Sequence, residues 1–301
     1  MASNQLSNAE CLIYYSKTMN HQRLQGSKPI MKPKIVVSMT TTANRAPFLQ
    51  QTLNSIMAQT VQPNSIELNI PHSYKRHDLE PIDIKTIPAG FSIFICEDYG
   101  PATKLLPTLQ RYAQQDVIII YCDDDRVYKS NWIERLLKVH TNNDGCCIAD
   151  EMFDIPYFSN QHFMKRSPLY RLKRGLSLGL WKPKKKKMSD AVIAEGFGGV
   201  LVKPQFFDKS VFNIPNEFFL VDDIWFSAKL AERKIPIIFS KRRHGDKSVE
   251  VLVAGIDIGR DDGSLTNTSF EGNKRNDLNL IAMRFAVEKL DVWNKWRKYL
   301  Y

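Results

Sequence analysis

Val117-Ile118-Ile119-Ile120-Tyr121-Cys122-Asp123-Asp124-Asp125 joins an apolar, β-branched run to three consecutive carboxylates. A run of that length and composition suits a strand buried on both faces, as in a parallel sheet covered by helices. Ligands in open α/β sheets bind beyond the carboxyl ends of the strands, so the acids stand where a site is expected. Three carboxylates packed there repel one another unless a cation neutralises them. Asp123 and Asp125, two apart, project to the same side. Oxygen ligands of this kind suit Mg2+ or Mn2+, ions that keep positions open for the oxygens of a diphosphate. An acidic surface turn is the plain alternative, because Asp is common at such positions.

The 301 residues, 43% hydrophobic and 25% charged, have the composition of a globular chain. No apolar run is long enough to span a membrane. Met1 to Gln25 lacks the apolar core of a signal peptide, and the five cysteines, with no CxxC pair, read as small buried hydrophobes in a reducing cytosol. The formal charge of +10 is concentrated: Lys165 to Lys187 holds ten basic residues and no acid. Without that segment the chain is near neutral, so the basicity belongs to one mobile insertion rather than to the fold.

Around the central strand the chain alternates β and α. Residues 1–33 read as an N-terminal appendage. A first strand, Lys34 to Met39, leads into the polar loop Thr40-Thr41-Thr42-Ala43-Asn44-Arg45. A helix follows, with Phe48, Leu49, Leu53, Ile56 and Met57 at helical spacing. Neither GxGxxG nor GxxxxGK[ST] occurs, so a dinucleotide fold and a P-loop are both unsupported. Strands at Ser65 to Pro71 and Ser92 to Cys96 come next, the latter ending in Glu97-Asp98. Lys104 then opens a helix whose first turn holds Pro107. After the acidic triplet, Ser130 is a good N-cap for a helix Asn131 to Thr141, and Cys146 to Asp150 forms a fifth strand. The rhythm argues for a mostly parallel, doubly wound sheet.

Beyond Asp150 the basic segment precedes a second sheet-like run, Ala191 to Val202. Its Gly198 and Gly199 suggest close approach of backbone to a ligand, or a simple bulge. Asp222 and Asp223 then open a helix, where capping and the macrodipole offer a routine explanation for acids. A strand at Ile235 to Ser240 precedes Lys241-Arg242-Arg243-His244. Asn276 to Tyr301 reads as a C-terminal amphipathic helix rich in aromatic and basic residues.

Taken together, these pieces resemble the GT-A class of nucleotide-sugar glycosyltransferases, most closely the family-2-like branch, over residues 34 to 245. The resemblance implies an α/β GT-A (Rossmann-like) domain at 34–275, with the basic insertion at 165–187 and a C-terminal helix at 276–301. It implies Asp123 and Asp125 as the outer carboxylates of a DXD motif holding Mn2+ or Mg2+, completed by His244. It implies a donor nucleotide held by Thr40, Thr41, Thr42, Arg45, Asp98 and Asp124. Lys104 is expected to partner the donor phosphates or Asp98. Gly198, Gly199, Arg242 and Arg243 are the expected acceptor or phosphate contacts. Asp222-Asp223 stands in the place of the ED motif, with Asp223 favoured over Asp222 as the base. No QxxRW motif follows, so a single transfer per encounter is expected.

The implied reaction moves a sugar from a nucleoside diphosphate sugar, with UDP favoured, to a hydroxyl of a glycan or lipid-linked acceptor, with inversion. A sugar-nucleotide nucleotidyltransferase is the runner-up, but the chain lacks a Gly-rich, Lys/Arg-bearing loop near its first strand to grip a triphosphate. A phosphatase of the haloacid-dehalogenase type places Asp-x-Asp after its first strand, whereas here the triplet ends the fourth. A basic nucleic-acid-binding protein would need its charge along a groove, and here it is confined to one segment, so no nucleic acid is expected. The expected location is cytoplasmic. Peripheral docking on an anionic membrane surface is expected from the basic segment and its interleaved Leu and Trp residues.

Overall fold

Alternation along β4 explains the architecture. The computed structural model describes residues 33–76, 78–155, 176, 191–240, 249–251, 269–270 and 273–301. Every residue of β4 (Val117–Tyr121) is buried. Ile118 and Ile120 face one core with Leu49, Leu53, Trp132 and Leu136, while Ile119 and Tyr121 face a second with Leu105, Leu106, Ile224 and Phe226. A period of two thus feeds two helical layers, which is why the run reads as continuously apolar.

β4 sits inside a seven-stranded sheet of order β10-β6-β9-β4-β1-β2-β3. Its members are β1 (Lys34–Thr40), β2 (Ser65–Pro71), β3 (Ser92–Cys96), β4, β6 (Cys147–Ala149), β9 (Val200–Val202) and β10 (Ile237–Phe239). All neighbours are parallel except β9, which runs antiparallel to both β4 and β6. Short antiparallel pairs add β5 (Arg126–Tyr128) with β11 (Val249–Val251), β7 (Met152–Asp154) with β8 (Val192–Ala194), and β12 (Ser269–Phe270) with β13 (Asn273–Lys274). The helices are α1 (Leu49–Met57), α2 (Leu106–Arg111), α3 (Trp132–Thr141), α4 (Asp222–Glu232) and α5 (Arg275–Lys289). The mostly parallel, doubly wound sheet expected from sequence is therefore present.

Register places the loops. Lys34 pairs with Val117 and Ser38 with Tyr121, and the Cys122 amide donates to Ser38 O at 3.0 Å. The polar loop after β1 and the acids after β4 therefore leave the sheet side by side. Pro71 likewise pairs with Cys96, which sets the loop after β2 beside Glu97-Asp98.

Three local expectations change. Asn131, not Ser130, is the N-cap of α3, and its side chain makes no cap bond; Gln59 Oε1 instead accepts the Ile133 amide at 3.0 Å. The run Ala191 to Val202 divides into β8 and β9 around a 3-10 turn, Gly196–Gly198. The C-terminal helix ends at Lys289, after which Asp291 and Trp293 take positive φ and a separate 3-10 turn spans Asn294–Tyr299. Positive φ cannot continue a right-handed helix. The appendage up to residue 32, the basic segment 165–187 apart from residue 176, and Arg242, Arg243 and His244 lie outside the described residues.

Candidate active site

At the carboxyl ends of β1 to β4 lies an open cleft. Thr40, Thr41, Thr42, Arg45, Asp98, Lys104, Asp123, Asp124, Asp222 and Asp223 all line it. Residues that are far apart in sequence meet there because the register aligns their loops.

The triplet is fixed from below by its backbone. Tyr128 Oη donates to Asp123 O at 3.1 Å and Thr52 Oγ1 to Asp124 O at 2.7 Å. Tyr128 is itself stacked on Trp132, with ring centroids 4.1 Å apart. The three side chains then go to different uses. Asp124, buried, accepts Thr41 Oγ1 at 2.5 Å on one oxygen and the Arg45 guanidinium on the other. Both its oxygens are spent on the first loop, so Asp124 shapes the nucleotide side of the cleft through Thr41 and Arg45. Asp123 gives Oδ1 to Lys104 Nζ at 2.7 Å, and no hydrogen bond reaches its Oδ2 among the described residues. Asp125 gives Oδ2 to Arg45 at 2.9 Å, while its buried Oδ1 has no hydrogen-bond partner. Arg126 Nε stands 3.3 Å from that oxygen without the alignment of a bond. Asp125 does not line the cleft itself.

Electrostatics follow from this crowding. Burial opposes the Arg45 charge, yet Asp124, Asp125 and Asp123 outweigh it and hold the guanidinium more basic than usual. Burial pushes the Asp124 carboxyl up. For Asp123 burial also pushes up, but the Lys104 ammonium dominates and the carboxyl lies below its ordinary value. The cations that the triplet requires are therefore partly supplied by the chain.

Lys104 is the meeting point of two motifs. Its Nζ lies 2.7 Å from Asp123 Oδ1, 3.1 Å from Asp222 Oδ2 and 4.0 Å from Asp223 Oδ1. The Asp222 approach is off-angle, so that oxygen forms an ion pair without a hydrogen bond. Asp222 and Asp223 do not cap α4: Val221 is the N-cap and no side chain caps the helix. Asp223 instead accepts the Gly196 amide at 3.0 Å. Burial, with Asp222 and Asp123 nearby, raises its carboxyl to about 7 against the pull of Lys104 and that amide.

Asp98 does not pair with Lys104. Its oxygens accept the amides of Lys75 and Gly100, each at 2.7 Å, which clamps the loop after β2 to the loop after β3. Gly198 and Gly199, expected at a ligand, do not line the cleft. A Cβ on Gly199 would come within 2.2 Å of the Trp132 ring, and Gly198 O accepts Trp132 Nε1 at 2.9 Å. Gly199 makes room for the Trp132 ring, and Gly198 makes room for Glu151, whose Cβ a side chain there would meet at 2.7 Å. Gly100 is the glycine that lines the cleft, and Gly196 packs behind it against Lys104 and Asp223.

Tyr74, Arg76 and Leu79 also line the cleft from the loop after β2, and the sequence reading missed them. Their signal was position alone, since they follow the carboxyl end of a strand. Tyr74 Oη donates to Thr41 O at 3.3 Å, and burial beside Asp98 raises its phenol. Among the described residues no group of three or more His, Cys, Asp or Glu is arranged to hold a metal ion. Asp123, which keeps Oδ2 without a hydrogen bond on the cleft wall, has the chemistry to fit a hard cation; Asp125 meets Arg45 on one oxygen and Arg126 on the other.

No family model matches the chain, and no curated protein does. Among solved structures, a mannosyltransferase from Pyrobaculum calidifontis in complex with GDP-Man and Mn2+ aligns over 76% of this chain at 16% identity and a TM-score of 0.40. The chain spans 61% of that protein's length. Glucosyl-3-phosphoglycerate synthase of M. tuberculosis aligns over 86% of this chain and 80% of its own, at 11% identity and a TM-score of 0.42. Likenesses this weak carry no weight for function.

Proposed function

We propose that the chain is a metal-dependent glycosyltransferase. It moves a sugar from a nucleoside diphosphate sugar, UDP-linked by preference, to a hydroxyl of a glycan or lipid-linked acceptor. The transfer inverts the anomeric centre and happens once per encounter. The observation that carries this reading is the unequal use of three adjacent carboxylates. Asp124 has both oxygens bonded, whereas Asp123 Oδ2 and Asp125 Oδ1 make no hydrogen bond among the described residues. An acidic surface turn has no need to bury its middle acid on the neighbouring loop and to leave an oxygen of Asp123 unbonded in a cleft. Asp123, Asp125 and His244 would hold Mn2+ or Mg2+ together with the donor's diphosphate oxygens. When bound, the ion supplies Lewis-acid stabilisation of the departing diphosphate.

The chain's own residues then divide the work. Thr40, Thr41, Thr42 and Arg45 hold the nucleotide on a loop that Asp124 fixes, and Asp98 offers its remaining lone pairs to the base or ribose. Asp223 takes the acceptor's proton. Its side chain is 19% exposed against 2% for Asp222, and its carboxyl is raised to about 7, near where a general base works best. Arg242 and Arg243 are assigned to phosphate contacts.

The acceptor places the enzyme on the cytosolic face of an anionic membrane, docked through the basic segment 165–187. No helix among the described residues is long and apolar enough to cross a membrane. Sedimentation should follow anionic vesicles and spare neutral ones; equal binding to both removes the membrane from this reading.

A thermal-shift panel of UDP, GDP and their sugars, with and without Mn2+, tests the central claim. One nucleotide should raise Tm only when the metal is present. Absence of any nucleotide-dependent shift overturns the reading. Release of pyrophosphate instead of a nucleoside diphosphate would move the chain to the nucleotidyltransferases.

A further inference from the structure

Resting on the glycosyl-transfer reading, we propose that Lys104 is the positioning residue of this site. Its single buried ammonium ties the donor-side carboxylate, Asp123, to the acceptor-side pair, Asp222 and Asp223, and so fixes the spacing between leaving group and base.

Geometry makes the case. Lys104 is 5% exposed, and its Nζ has carboxylate oxygens from two separate elements within 4.0 Å. Without the ammonium these acids would repel one another across a buried space. A buried lysine side chain ion-paired to carboxylates of two separate elements acts as a fixed tie between them.

The backbone is built to aim it. Lys104 closes the 3-10 turn Ala102–Lys104, and its carbonyl accepts Ser38 Oγ at 2.6 Å from inside β1. Ser38 Oγ also lies 2.7 Å from Thr108 Oγ1, which pins the first turn of α2 to the same point. On the far side, Gly196 leaves the space that the ammonium fills: a Cβ there would lie 2.6 Å from Nζ. Its φ is not positive, so the absent side chain reflects space and not conformation. The sequence thus supplies the charge, the aim and the vacancy from three separate elements.

The test uses the full chain with its donor, acceptor and Mn2+. Lys104→Ala removes the tie, and propylammonium can refill the vacated volume with the same charge. We expect kcat to fall at least about 100-fold, the cost of misplacing reacting groups by an ångström, with a much smaller change in donor KM. Propylammonium should restore a substantial part of kcat, and propanol, of similar shape and no charge, should not. Gly196→Ala keeps the lysine and displaces its ammonium, so it serves where Lys104→Ala does not fold; kcat should again fall with KM nearly held. A wild-type kcat in either folded variant overturns the proposal, as does equal rescue by propanol. A wild-type chain that transfers no sugar from any donor overturns the glycosyl-transfer reading and this proposal with it, an outcome distinct from active wild type with indifferent variants.

Discussion

The Gly196 amide donates to Asp223 Oδ1 at 3.0 Å, from the turn between β8 and β9 to the first turn of α4. A backbone N–H on a carboxylate favours its charged form, as does Lys104. Burial and the neighbouring acids nevertheless prevail, and the carboxyl titrates at about 7. Asp223 is thereby held ready to accept a proton near neutral pH.

The rate should follow that titration. Since the base must be ionised, kcat/KM should rise with pH through an inflection at about 7 and level off above it. Asp223→Asn should cost at least about 100-fold and erase the inflection. An unchanged inflection in a residual-activity profile would assign the limb to another group.

Stability should carry the same signature with the opposite slope. The folded Asp223 binds its proton up to about 7, while the unfolded chain releases it near the ordinary 3.8. Its stabilising contribution is therefore complete below the unfolded value and is lost as pH rises through the folded one. Asn stays neutral throughout. The Tm of Asp223→Asn minus that of wild type should grow from about pH 4 to about pH 7 and level off above that. A flat difference in scanning fluorimetry would remove the raised carboxyl from the account.

Much of this is legible in the amino-acid sequence because β4 advertises itself. Four β-branched residues followed by acids fix both a buried strand and the end where ligands bind. The loop after β1, Asp98, Asp123, Asp124 and Asp222-Asp223 all reach one cleft, as their strand-end or helix-start positions indicate, while Asp125 turns away from it. What stayed hidden were relations between side chains. Lys104 points at Asp123 and not at Asp98 because Lys75 and Gly100 already occupy Asp98, and no spacing rule reports that. Gly198-Gly199 read as a ligand contact because glycine marks close approach, but the approaching groups are Glu151 at Gly198 and the Trp132 ring at Gly199. The C-terminal helix looked continuous since no Pro or Gly interrupts it after Arg275. It breaks where Asp291 and Trp293 adopt positive φ, a choice local propensity does not reveal.

That reading of Gly199 is testable. Its φ of +91 disfavours any side chain, and a methyl would collide with Trp132 at 2.2 Å. Gly199→Ala should destabilise by roughly 1–3 kcal/mol, the usual cost of overpacking, as measured by urea unfolding. The partner substitution Trp132→Phe, which shortens the ring, should recover part of the loss. A Gly199→Ala protein as stable as wild type would return the glycine to the ligand-contact reading.

The middle and outer acids of the triplet should separate cleanly. Asp124→Ala strips Thr41 of its partner and leaves half-buried Arg45 with Asp125 alone, so unfolding should become easier by about 1–3 kcal/mol. Asp125→Ala leaves Arg45 bonded to Asp124 and should cost much less. Titration with Mn2+ and nucleotide should give the reverse contrast, with Asp125→Ala losing metal-dependent binding outright. Equal metal affinity in wild type and Asp125→Ala would end its assignment as a ligand.

The final prediction concerns how deeply the site is anchored. Glu67, 1% exposed in β2, accepts the Arg111 guanidinium at 2.5 Å and Tyr112 Oη at 2.6 Å. Arg111 continues to Asn69 Oδ1 at 3.2 Å, and Asn69 Nδ2 donates to Ser38 Oγ at 3.1 Å, the hydroxyl that holds Lys104 O. A line of polar contacts therefore joins a partly buried ion pair to the backbone that aims Lys104. Arg111→Met strands the Glu67 carboxylate and should cost about 3 kcal/mol, because removing the partner of the buried carboxylate leaves an uncompensated charge. Adding Glu67→Gln should recover more than half of that loss, since the amide oxygen can still accept from Tyr112 and carries no charge. Activity separates anchoring from stability alone. The refolded double variant should keep a reduced kcat with donor KM unchanged, because Asn69 and Ser38 have lost the guanidinium that orients them. Full wild-type kcat in that variant would confine the network to folding and detach it from the placement of Lys104.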